Sequence, residues 1–170
     1  ILLVRKSAAI GLKKVIQIHL KFLITDLRSN NEQSALNNLL QILSMEENPE
    51  ISLLIITSLA PVFKEVGDSW AELTQLLAAL FVSNNPIHIN IGLQLMSDFL
   101  PYASTGFVSQ YLPTIAQFLQ LALNSDNSDI LVYGVQLFSS LLQTEMLRLH
   151  LPDILLRVRQ SLSNLILKKK

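Results

Sequence analysis

Gly92-Leu93-Gln94-Leu95-Met96-Ser97 and Gly134-Val135-Gln136-Leu137-Phe138-Ser139 lie 42 residues apart and match in character at every position. The match continues upstream without a gap. Asn84-Asn85-Pro86 falls on Asp126-Asn127-Ser128, and Leu73-Thr74-Gln75-Leu76-Leu77 falls on Ile115-Ala116-Gln117-Phe118-Leu119. Each copy therefore holds two apolar stretches of helical length joined by a turn. A second echo sets Leu112-Pro113-Thr114-Ile115 39 residues before Leu151-Pro152-Asp153-Ile154, and Asn48-Pro49 stands 37 before Asn85-Pro86.

Units recurring at this spacing fall near the roughly 40–47 residues of HEAT and armadillo repeats, and tetratricopeptide and ankyrin periods of about 33–34 fit worse. The fold class that follows is all-α, a HEAT-repeat solenoid of antiparallel helix pairs. The predicted helices are 2–18, 31–45, 49–66, 70–82, 86–102, 108–123, 128–144 and 151–168. Residues 1–170 then form a single solenoid fragment of about three full pairs with an orphan helix at each end. Such ends expose apolar faces. Asn48 and Asn85 read as N-caps before first-turn prolines, Glu50 and Asp129 as first-turn acids favoured by the helix dipole, and Gly67 and Gly106 as breaks between helices.

Alternation in Ile87-His88-Ile89-Asn90-Ile91-Gly92-Leu93-Gln94-Leu95 is a strand signal. Its equivalent, Ile130 to Val135, does not alternate, and equivalent units share a fold, so both read as helix. On the first of these helices Asn90, Gln94, Ser97 and Asp98 share a face; on the second Asp129, Gln136, Ser140 and Gln143 do. Each second helix of a pair is predicted to show this thin polar stripe and bury the rest. The glycines shared by the two copies, Gly92 and Gly134, imply close approach of a neighbouring helix, because a mid-helix Gly otherwise costs about 1 kcal/mol against Ala.

Composition agrees. Half of the 170 residues are hydrophobic and 15% are charged, with five Gly and six Pro, which suits packed helices and excludes a disordered chain. There is no Cys, so disulfides and thiolate metal sites are excluded. The longest apolar run between Leu73 and Ser125 is Leu76 to Val82, far short of the roughly 20 residues of a membrane span. Net charge is zero but divides into blocks of +5 over residues 1–28, −10 over 29–145 and +5 over 146–170. The acidic middle block suits a basic partner.

Enzyme chemistry finds no support. His19, His88 and His150 have no metal-ligand spacing, and no phosphate-binding glycine motif or nucleophile elbow occurs. No cofactor is implied. Glu46, Glu47 and Glu50 read as helix-end charges. Trp70, aligned with Leu112 and Leu151, reads as a packing residue at a repeat junction. Lys6, Lys13, Lys14 and Lys21 make one side of the first helix positive, but without interleaved aromatics they read as a solvated face, not as a nucleic-acid site.

Three stretches carry a family resemblance. Val4-Arg5-Lys6-Ser7-Ala8-Ala9 resembles the V/I-R-x-x-A-A pattern in the first repeat of importin-β-type nuclear transport receptors (karyopherin-β). Phe63-Lys64-Glu65-Val66-Gly67-Asp68-Ser69-Trp70-Ala71-Glu72-Leu73 resembles that family's junction before a W-x-E-L helix, with Ala71 in place of the usual Pro. Leu151-Pro152-Asp153-Ile154-Leu155 resembles the opening of a later helix pair. The nearest subgroup is that of importin four, over its N-terminal repeats.

The resemblance implies a receptor shuttling between cytoplasm and nucleus. Its partners would be a Ran-type GTPase in the GTP state, Phe-Gly nucleoporins, and basic cargo such as ribosomal proteins or histones. Lys6, Lys13, Asn90, Gln94, Asp98, Gln136 and Ser140 are the candidate partner contacts. The competing reading is a structural HEAT scaffold of another assembly, such as a phosphatase or coat subunit.

Overall fold

The structure is a computed structural model that describes residues 2–29 and 33–143. Among them are seven α-helices and no strand: α1 (Leu2–Arg28), α2 (Ala35–Ser44), α3 (Pro49–Val66), α4 (Ala71–Phe81), α5 (Pro86–Phe99), α6 (Thr105–Leu123) and α7 (Ser128–Gln143). Short 3-10 turns follow α3 at Gly67–Ser69 and α5 at Leu100–Tyr102. The all-α HEAT-type reading holds, including helix at the alternating stretch in α5. The predicted final helix, 151–168, lies outside the described residues.

The repeat is visible as one turn built three times. Four residues join α2 to α3, α4 to α5 and α6 to α7, and within each unit so short a link sets α2 antiparallel to α3 and α6 antiparallel to α7. In each turn the second residue, Glu46, Ser83 or Ser125, donates its N–H to the carbonyl three residues back at 3.2 Å. Its side-chain oxygen then accepts the N–H of the asparagine two residues on: Asn48 at 2.8 Å, Asn85 at 3.2 Å and Asn127 at 3.2 Å. Each asparagine in turn caps its helix. Its Oδ1 accepts the N–H of Glu50 (3.1 Å), Ile87 (3.0 Å) or Asp129 (2.9 Å). These bonds satisfy donors that a helix start leaves orphaned.

The chain divides into two compact units, Ile1–Ile91 and Gly92–Lys170. In the first, α1 packs chiefly along α3 and also touches α2, while α2 lies against α4. Ile16, Leu36, Leu43, Ile56, Leu59, Phe63, Trp70, Leu73 and Leu77 form its core, each almost fully buried. Burial of this kind stabilises by about 1.5–3 kcal/mol per large side chain. In the second unit α6 packs on α7, and the turn at Leu100–Tyr102 also meets α7. Phe99 meets the edge of Phe107 at a centroid distance of 5.3 Å.

Two differences from the predicted boundaries are instructive. α1 runs to Arg28, ten residues past the predicted end, because Leu23 and Ile24 continue its buried face and no Gly or Pro intervenes. α6 starts at Thr105, where Ser104 Oγ accepts the N–H of Phe107 at 3.1 Å. Gly106 is therefore inside the first turn of α6 and does not break it. Gly67 does end α3: its φ of 54° is open to Gly at little steric cost, and its N–H reaches the Phe63 carbonyl. With α6 this long, Leu112 sits mid-helix, whereas its aligned counterpart Trp70 stands just before α4.

Candidate partner-binding surface

Two charge contacts fix the start of α1 to the α2–α3 turn. Arg5 Nη2 donates to Glu46 Oε2 at 2.5 Å, with the Glu46 side chain buried and Arg5 half exposed. One step along, Lys6 Nζ meets Glu50 Oε2 at 2.6 Å on the exposed rim. Glu46 thus accepts the cap N–H of Asn48 with one carboxylate oxygen and Arg5 with the other. Serine holds the same position in the other two turns: Ser125 Oγ accepts the cap N–H, and Ser83 Oγ accepts it and also bonds His88 Nδ1 at 2.9 Å. Beside this pair, Ala8, Ala9, Leu12, Leu39, Ile42, Ile51 and Ile55 line an apolar groove of about 250 Å³ between α1, α2 and α3.

At the far side of the first unit Trp70 is buried, and its indole Nε1 donates to Asn37 Oδ1 at 2.8 Å. Asn37, also buried, donates through Nδ2 to Glu72 Oε1 at 3.0 Å. The packing role read for Trp70 holds, and the bond ties α2 to the start of α4. Asn37 gave no signal in the sequence: an amide in Leu36-Asn37-Asn38-Leu39 looks like a solvated side chain.

The polar stripes divide. On α5, Gln94 and Ser97 are buried, and Asn90 is half-buried with its Oδ1 covered. Among the described residues, Asn90 Oδ1, Gln94 Oε1 and Ser97 Oγ find no hydrogen-bond partner. Asp98 is half-buried, and burial raises its carboxyl above the usual Asp range. On α7, Gln136 is exposed and Ser140 half-buried. Gly134 touches a neighbouring helix, as its recurrence implied: a Cβ there would stand 2.8 Å from Ala122 Cβ of α6. Of the two lysines, Lys6 is engaged with Glu50 and Lys13 is exposed. The structure therefore leaves Lys13 and Gln136 open to solvent and places Gln94 inside.

A family model described as "IPO5-like, TPR repeats" matches residues 55–169, more than half the chain. The chain belongs to the IPO5-like repeat family. That membership agrees with the importin-β-type resemblance of its motifs. The IPO5-like description speaks of tetratricopeptide repeats, but the capping asparagines Asn48, Asn85 and Asn127 recur at spacings wider than the roughly 34 residues of that repeat. The pairs are of HEAT type. Comparison with curated proteins finds no match, and comparison with solved structures finds none.

No helix among the described residues is long and apolar enough to cross a membrane. Nor do three His, Asp or Glu side chains converge among those residues in a group that could hold a metal ion. What IPO5-like repeats offer here is surface: helix faces, an apolar groove and separated fields of charge.

Proposed function

We propose that this chain is a stretch of one HEAT solenoid within a nuclear transport receptor, acting by binding and not by catalysis. Membership of the IPO5-like family carries this reading. On it, the receptor shuttles between cytoplasm and nucleus and binds a Ran-type GTPase in its GTP state, Phe-Gly nucleoporins and basic cargo. Charge supports the cargo assignment: residues 65–143 contain no Lys or Arg, so this part of the surface attracts a basic protein such as a ribosomal protein or histone. The groove beside Arg5 and Glu46 is apolar and of a size to take one aromatic ring of a Phe-Gly segment.

Lys13 and Gln136, being exposed, and Asp98 and Ser140, being half-buried, are the partner contacts we assign first. Lys6 joins them when it leaves Glu50. Asn90 and Gln94 act indirectly, through the packing of α5. A pull-down with immobilised Ran-type GTPase locked in the GTP state tests the proposal. Retention on the GTP form and not on the GDP form is the expected result. A constitutive partner co-purifying from native extract, with no retention on either form, points instead to a structural scaffold.

A further inference from the structure

We draw no further inference here: the strongest candidate, the cavity of about 270 Å³ where Arg28, Ser69 and Glu72 surround the start of α4, carries nothing, because it is a helix N-terminus whose own first-turn acid, Glu72, opposes an anion and no second feature of the structure points to a ligand.

Discussion

Two glycines in this chain have opposite reasons to be there. At Gly134 the backbone of α7 lies so close to α6 that a Cβ would overlap Ala122 Cβ, and neither atom can swing aside. Gly134→Ala gains about 1 kcal/mol of helix propensity but forces the helices apart, at about 1–3 kcal/mol. A net loss of about 1 kcal/mol is expected in urea unfolding. Gly11→Ala meets open space and is expected to stabilise by about 0.5–1 kcal/mol in dilute protein. Equal signs for the two would contradict the packing described for α6 and α7.

The same scale decides between the partners of the Arg5–Glu46 ion pair, of which only the carboxylate is buried. Glu46→Gln keeps an oxygen for the Asn48 N–H and leaves Arg5, half exposed, to water. Arg5→Ala strands a buried carboxylate. Arg5→Ala is therefore expected to destabilise by about 2–3 kcal/mol, and Glu46→Gln by less; thermal melts of the two variants give the order. Asp98 adds a pH dependence. Its folded pKa is raised by burial, so its contribution to stability is fully present below the ordinary Asp range and is lost as pH rises through the folded value. Asp98→Asn is expected to melt above the wild type at pH 7 and to show no such advantage near pH 3. An unchanged difference between the two pH values would remove the burial argument.

At the scale of elements, the recurring turn carries the fold. Asn48→Ala, Asn85→Ala and Asn127→Ala are each expected to cost about 1 kcal/mol, the usual loss of a helix cap. Denaturant titration of the three variants should give similar values, because the hydrogen bonds are the same within 0.2 Å at Oδ1. This is also where the sequence was most legible. Both ends of α3 were placed to the residue, since an Asn-Pro start and a glycine at positive φ are local signals.

What could not be read depended on neighbours. α1 looked shorter because past residue 18 it buries only Leu23 and Ile24, amid exposed residues. The α5 stripe looked solvated because a polar spacing of 3.6 says where polar residues align, not which side is covered. Every residue from Ile91 to Ser97 is buried, so that helix has no solvent face there to read. Glu46 and Asn37 draw their roles from Arg5 and Trp70, 41 and 33 residues away, and nothing local announces either.

For the molecule as a whole, the charge blocks and the repeat point to a binding surface, and membership of the IPO5-like family is what the proposed transport-receptor role rests on. Basic charge at α1 and an acidic stretch after Lys64 give one chain two surfaces suited to different partners. The most direct test is a titration of the chain with a Ran-type GTPase loaded with a non-hydrolysable GTP analogue and, separately, with GDP. The account predicts at least about tenfold tighter binding of the GTP form, a difference of about 1.4 kcal/mol, with Lys13→Glu weakening it. Equal affinity for the two forms, or no binding to either, would contradict it.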